Sequence, residues 1–107
     1  MSFRPVAIAV FAMALLPVFP IAQSAAQSVD VPKLGTCVTC HGRNGIGTSP
    51  MFPNLAGQKS LYMIQQLEHF RSGARKSEVM NVVAKPLTDA EIEALANYYE
   101  SLKPGGS

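Results

Sequence analysis

The sequence predicts a small all-α domain, and three observations support this fold class. Three segments carry apolar residues at helical spacing, and loops rich in glycine and proline separate them. No segment shows the convincing alternation of polar and apolar residues that is typical of a β-strand. With 107 residues, the chain is long enough for one domain of this kind.

The first helical segment is short and contains two cysteines. Pro32 is suited to the first helical position, where a missing N–H has no consequence. The residues that follow at helical spacing are Leu34, Cys37, Val38 and His41. Gly42 is expected to end this helix. Residues 42–57 are predicted to form a loop because glycine and proline recur in them.

The second helix is predicted to run from about Ser60 to Arg71 and to close at Ser72-Gly73. Its apolar stripe consists of Met63, Leu67 and Phe70.

The third helix has the clearest sequence signature. Thr88 and Glu91 form a T-x-x-E capping box, which predicts the point where the helix begins. One apolar stripe follows, made of Ile92, Leu95, Ala96, Tyr99 and Leu102. Pro104 ends the helix, and its stripe must pack against other apolar surfaces because an isolated helix of this length is unstable.

The motif Cys37-Val38-Thr39-Cys40-His41 predicts a covalently attached c-type haem. Two thiols three positions apart lie on one helical turn, so both can bond the vinyl groups of a porphyrin, and the adjacent imidazole can bind the iron. A thioredoxin-like motif needs a βαβ framework, which this sequence lacks. A structural zinc site would have to use His69 as its fourth ligand, and a plain disulfide would leave His41 unexplained.

Residues 1–26 have the composition of a secretory signal peptide. Arg4 precedes an apolar run from Val6 to Ala22, and Ser24-Ala25-Ala26 offers a small-x-small cleavage pattern. We therefore expect cleavage near Ala26, which leaves residues 27–107 as the mature domain. The alternative is an uncleaved membrane anchor, although the apolar run is close to the minimum of about 17 residues for spanning a bilayer. The chain has 9 Lys+Arg against 7 Asp+Glu, so its overall charge indicates neither nucleic acid nor a strongly acidic partner, and we expect no nucleic acid partner.

A haem bound by His41 needs a second ligand on the other face of its iron, and we predict that this ligand is Met80. Met80 lies between the second and third helices, in a segment predicted to be non-helical, where a loop can cross the haem. Met63 belongs to a helical stripe, where methionine more often packs in a core, and Met51 is close to His41 along the chain. Another methionine, a bis-histidine haem that uses His69, and an open site remain as alternatives.

Four segments occur together in an order shared with a known family. They are Cys37–Gly42, Phe52–Gln58, Met80 followed by Leu87-Thr88-Asp89, and Ala96–Tyr99. From about Leu34 to Leu102 the chain resembles a bacterial class I c-type cytochrome, similar to the domains of small single-haem and di-haem periplasmic cytochromes. The resemblance implies a class I cytochrome c fold, in which three main helices and loops wrap around one covalently bound haem c.

The resemblance also implies roles for individual residues. The carbonyl of Pro53 is expected to accept a hydrogen bond from His41, the proximal ligand, which fixes the tautomer that binds iron. Met80 matches the family's distal ligand, and Leu55 is expected to pack against the macrocycle. Ligation by histidine and methionine fills both axial positions, so the chain is expected to transfer electrons rather than to act as an enzyme.

The leading functional prediction is a diffusible, periplasmic one-electron carrier. Its expected partners are redox proteins: a periplasmic dehydrogenase or flavocytochrome-type subunit, a membrane oxidase or another cytochrome, with no membrane contact after signal cleavage. The alternative is a tightly bound cytochrome subunit of a flavin or molybdenum dehydrogenase, for instance one that oxidises sulfur compounds. A haem sensor with an open distal site is a third hypothesis. The basic residues Arg71, Arg75, Lys76 and Lys85 bracket Met80 and could steer an acidic partner.

Overall fold

The computed structural model describes residues 1–21 and 30–105. These residues contain four helices and no strand, so the predicted all-α class is confirmed with one helix more than expected. The helices are α1 (Leu34–His41), α2 (Ser60–Ser72), α3 (Glu78–Ala84) and α4 (Asp89–Ser101).

Residues 1–21 form neither helix nor strand, and their side chains are exposed. The predicted cleavage position after Ala26 lies outside the described residues. Of the four helices in the described ranges, none has the length and apolar character required to cross a membrane.

Helix α4 begins where the sequence predicts and forms the centre of the core. The Thr88 hydroxyl accepts the Glu91 N–H at 3.2 Å, and the Glu91 carboxylate accepts the Thr88 N–H at 3.1 Å, so the capping box is confirmed. The buried stripe, no more than 1% exposed, consists of Ile92, Leu95, Ala96 and Tyr99. Burial of this stripe against α2 and other core residues stabilises a helix that would be marginal alone.

Helix α2 packs against both α4 and α3 and therefore connects the two halves of the domain. Met63 is buried, and Leu67 and Phe70 pack partly buried against the core, as the stripe predicts. The helix ends at Gly73, whose φ of 83° is left-handed and therefore favours glycine.

Helix α1 begins later than predicted. The placement of Pro32 at the first helical position is wrong, because Lys33 adopts a left-handed φ of 67° and the helix starts at Leu34. Pro32 instead lies in a turn in which the Leu34 N–H donates to the Val31 carbonyl at 3.2 Å. Val31 and Leu34 are both buried, so this turn anchors α1 to the core. Gly42 ends the helix as predicted, with φ of 74°.

Helix α3 is the additional element, and the prediction of a non-helical segment around Met80 is wrong. Ser77 caps the helix, because its hydroxyl accepts the Met80 N–H at 3.2 Å. The Asn81 side chain accepts the Ser77 N–H at 2.8 Å and so closes the same turn. Three valines among the seven residues lower the helix propensity of this segment, and its local contacts and packing on α2 outweigh that preference.

Candidate functional site

A largely apolar cavity of about 630 Å³ lies between α1, the 42–57 loop, α2 and α3. This volume is within the range of about 300–1,000 Å³ that is typical of ligand and cofactor pockets. The structure brings all six predicted site residues to the walls of this one cavity: Cys37, Cys40, His41, Pro53, Leu55 and Met80.

The His41 imidazole is buried, at 8% exposure, and one of its nitrogens has a defined partner. Its Nδ1 lies 2.8 Å from the carbonyl oxygen of Pro53. Because a carbonyl can only accept, Nδ1 must donate its hydrogen, and the lone pair of the neutral ring then lies on Nε2. His41 is therefore held in the tautomer that leaves Nε2 able to bind a metal.

Hydrogen bonds within the 42–57 loop fix the position of Pro53. The Gly45 carbonyl accepts the N–H groups of Leu55 at 2.7 Å and Ala56 at 3.0 Å. The Asn54 side chain also accepts the Gly47 N–H at 2.8 Å, and on the other side of Pro53 the Phe52 N–H donates to the Ser49 carbonyl at 3.0 Å. The acceptor for His41 is thus held by bonds on both of its flanks.

The two cysteines are half-buried on the cavity wall. Burial raises the pKa of the Cys37 thiol, and the neighbouring Cys40 raises it further. Reactive thiols of redox enzymes depend on a lowered pKa, so this environment does not favour thioredoxin-like chemistry. Across residues 1–21 and 30–105, no group of three or more His, Cys, Asp or Glu side chains is arranged to hold a metal ion.

Met80 is half-buried in the first turn of α3 and lines the cavity. Asn81, which sequence reasoning missed, ties this helix to the end of α2. Its side-chain amide donates to the carbonyls of Phe70 and Arg75, both at 2.8 Å. Together with the bond that it accepts from Ser77, Asn81 makes three hydrogen bonds that hold Met80 beside the cavity. Ser77 directly before Glu78 is the sequence signal that could have predicted α3.

Two other methionines, Met51 and Met63, also line the cavity. Met63 is buried in the core cluster, whereas Met51 is 83% exposed. His69 is half-buried on α2 and is not among the residues that line the cavity.

Two tyrosines of α4 contact the turn that follows His41. The Tyr99 hydroxyl donates to the Gly42 carbonyl at 3.4 Å, and burial raises the pKa of this tyrosine. The Tyr98 hydroxyl donates to the next carbonyl, that of Arg43. Their rings pack edge to face at 5.1 Å, so α4 holds the end of α1 in place.

The four basic residues that bracket Met80 are not equivalent. Arg71 donates to the Leu87 carbonyl at 3.0 Å and pairs with Asp89 at 2.7 Å, so its charge is already engaged within the fold. Arg75 and Lys76 are exposed and line the cavity. Arg71 therefore does not belong to the basic surface that was predicted around Met80.

Comparisons with known proteins agree on one family. The model of the family "Cytochrome c" matches residues 30–103. A thiosulfate dehydrogenase electron acceptor of Thiomonas intermedia is 41% identical over 98 residues, which cover 91% of this chain and 45% of that protein. Cytochrome c-554(548) of Halomonas halodenitrificans is 42% identical over 72 residues, which cover 64% of this chain and 87% of that protein.

Solved structures give the same result. Cytochrome c4 of Acidithiobacillus ferrooxidans is 47% identical, with a TM-score of 0.58, over 62% of this chain and 38% of that one. Cytochrome c4 of Pseudomonas stutzeri is 39% identical, with a TM-score of 0.59. The chain thus spans less than half the length of several relatives that it matches.

Proposed function

This chain belongs to the cytochrome c family, and we propose that it transfers single electrons through one covalently bound haem c and is not itself an enzyme. The observation that carries the proposal is the 2.8 Å contact between His41 Nδ1 and the Pro53 carbonyl. This contact lies at a cavity that Cys37, Cys40 and Met80 also line.

The residues at the cavity fit a haem c. Cys37 and Cys40 lie one helical turn apart on α1, a spacing that suits two thioether bonds. His41 presents a nitrogen lone pair and Met80 a thioether sulfur to the same mostly apolar space. When bound, the haem supplies reversible one-electron chemistry at its iron.

Each of these residues then has a separate task. Cys37 and Cys40 would retain the cofactor covalently, and His41, whose orientation the Pro53 carbonyl fixes, would bind the iron through Nε2. Met80 would bind the iron through its sulfur, and a neutral thioether as ligand favours a higher reduction potential. Leu55 and the other apolar walls exclude water. With the iron held by both His41 and Met80, no position on it would be left for a substrate.

Purified holoprotein tests this proposal directly. We expect haem that stays with the polypeptide under denaturing conditions, one per chain, and a reduced form that does not bind carbon monoxide readily. Haem that is extracted on denaturation would contradict covalent attachment. Rapid carbon monoxide binding would favour the sensor with an open distal site.

We also propose that residues 1–26 are a signal peptide removed near Ala26 and that residues 27–107 form a periplasmic cytochrome domain. The family match, which begins at residue 30, supports this division. Mass spectrometry of the periplasmic protein should give an amino terminus at or near Gln27. A chain that retains residue 1 in the membrane fraction would support the uncleaved anchor instead.

A diffusible carrier is the primary assignment, and a cytochrome subunit that receives electrons from a dehydrogenase is the second candidate. The second is favoured by the relatives from Thiomonas intermedia and Stutzerimonas stutzeri, both named thiosulfate dehydrogenase electron acceptors. Their names suggest a donor that oxidises a small sulfur compound such as thiosulfate.

Gel filtration of native periplasmic extract separates the two candidates. Haem absorbance that belongs to this chain should elute as a small species if it is a carrier. Elution with a larger protein would make it a subunit, and the cofactor of that protein would identify the chemistry.

Exposed Lys76 and Lys85 are suited to an acidic partner. The rate of electron exchange with that partner should therefore fall as ionic strength rises, and a rate independent of salt would argue against electrostatic steering.

A further inference from the structure

Arg75 lies on the link between α2 and α3, and both its side chain and its backbone are held in place. Its guanidinium lies 4.6 Å from the centre of the Phe70 ring, and Nη1 donates to the Gln66 side chain at 2.9 Å. The Arg75 N–H donates to the His69 carbonyl at 3.1 Å, and its own carbonyl accepts from Asn81 at 2.8 Å. A side chain supported on this many sides is positioned rather than simply solvated.

The guanidinium nevertheless has no carboxylate partner within the described ranges. The one ion pair found among residues 1–21 and 30–105 joins Arg71 to Asp89 at 2.7 Å. A guanidinium offers five N–H donors, and the bond to Gln66 uses one of them. Arg75 lines the cavity together with Gln66 and Phe70, whereas Arg71 does not. The two arginines are four residues apart, and only Arg75 presents unused donors to the cavity.

We propose that Arg75 binds a propionate carboxylate of the haem, an inference that rests on the haem site proposed above. Haem c carries two propionates on the edge away from its thioether bonds, and a planar guanidinium fork matches a carboxylate in geometry and charge. A carboxylate beside a mostly apolar cavity needs such a partner, because burying an unpaired charge is unfavourable. The stacking on Phe70 and the bond to Gln66 hold Arg75 ready for this contact.

Pairing with Arg75 should hold the pKa of this propionate below its usual range, because an adjacent positive charge favours the ionised form. The propionate then stays ionised at neutral pH and makes no pH-dependent contribution to the reduction potential. The test must distinguish titration of the propionate from titration of other charged or titratable groups at the cavity. The charged ones besides Arg75 are Lys76 and Glu78, and the remaining titratable ones are Cys37, Cys40, His41, Tyr62 and Tyr99.

The test is the reduction potential of the holoprotein measured as a function of pH, in the wild type and in four variants. Arg75→Gln removes the charge, and Arg75→Met removes it while keeping an apolar stem over Phe70. Arg71→Gln removes the same chemical group from a position off the cavity, and Lys76→Gln removes a neighbouring cation at the cavity. The wild-type potential should be flat above about pH 5, because pairing keeps the propionate ionised there, whereas an unpaired carboxyl at an apolar cavity is desolvated and titrates above its usual value of about 4.

In both Arg75 variants, the pH range over which the potential falls should shift to higher pH by about one unit or more, because the propionate loses its partner. Arg71→Gln and Lys76→Gln should keep the wild-type profile. The proposal is overturned if the Arg75 variants retain the wild-type profile, or if Lys76→Gln alone shifts it. Should neither Arg75 variant yield holoprotein, a wild-type transition above about pH 5 contradicts the pairing, and a flat wild-type profile supports it.

The absorbance spectrum separates this inference from the proposed function. A covalently bound haem with unchanged axial ligation in the Arg75 variants, and with no shift in the pH profile, would refute the role of Arg75 alone. A wild-type protein without covalent haem would refute the proposed function itself.

Discussion

The two sides of the cavity are held by different means. On the His41 side, main-chain groups dominate: the Pro53 carbonyl accepts from the imidazole, and the Gly45 carbonyl accepts two N–H groups of the same loop. On the Met80 side, the seven-residue helix α3 is tied to α2 chiefly through the side chain of Asn81. The contrast is in the kind of group: the first side relies on backbone carbonyls, which every residue has, whereas the second depends on the identity of one side chain.

The largest expected effect comes from removing both thiols on the His41 side. The double substitution Cys37→Ala with Cys40→Ala should abolish covalent haem retention completely, because no thioether bond can form. Haem staining after denaturing electrophoresis measures this. Thr39→Ala changes an exposed residue of the same helix and should retain its haem, and retention in the double variant would refute the c-type attachment.

On the other side, Met80→Ala should open the distal position without releasing the haem. The reduced variant should bind carbon monoxide readily, and its reduction potential should fall, because the thioether no longer stabilises the reduced iron. Met51→Ala, which alters another methionine at the cavity, is the matched control and should behave as the wild type. An unchanged spectrum and potential in Met80→Ala would show that Met80 is not the ligand.

Asn81→Ala should weaken the Met80 side by removing three hydrogen bonds at once. We expect the free energy of unfolding to fall by about 3 kcal/mol, at about 1 kcal/mol per bond. Carbon monoxide should also bind more readily, since α3 is no longer tied to the end of α2. Asn97→Ala on the exposed face of α4 is the control, and equal stability of the two variants would contradict the role of Asn81.

The smallest change in the free energy of unfolding is expected from a substitution in the 42–57 loop. A Cβ added at Gly47 would clash with the carbonyl oxygen of Phe52, whereas a Cβ at Gly35 on α1 meets nothing within 4 Å. Gly47→Ala should therefore lower the free energy of unfolding by about 2 kcal/mol, and Gly35→Ala should raise it by about 0.5 kcal/mol. Denaturant titration of both holoproteins measures the difference. If Gly47→Ala is as stable as Gly35→Ala, the loop is not a rigid support for Pro53.

Local signals were sufficient to predict α4, whose capping box at Thr88 and buried stripe lie within one stretch of sequence. They failed for α3, because its valines obscure the helix and Asn81 bonds to the Phe70 carbonyl, eleven residues away. The pairing of Arg71 with Asp89 is likewise a tertiary contact that composition cannot predict.

The candidate site divides in the same way. Cys37, Cys40 and His41 are recognisable as a motif because their chemistry resides in adjacent side chains. Pro53 contributes a backbone carbonyl, a group that every residue has, so only the family resemblance indicated its role. The contacts of Arg75 become visible only when Gln66 and Phe70 are brought beside it in the fold.

If one haem is held between His41 and Met80, the methionine methyl groups report its binding. We would record NMR spectra of the reduced holoprotein with isotope-labelled methionine methyls, in the wild type, Met80→Ala and Met51→Ala. A methyl bound at the iron lies over the porphyrin and is shifted strongly upfield by its ring current. We expect one such methyl, present in the wild type and Met51→Ala and absent in Met80→Ala. A shifted methyl that persists in Met80→Ala, or no shifted methyl in the wild type, would contradict it.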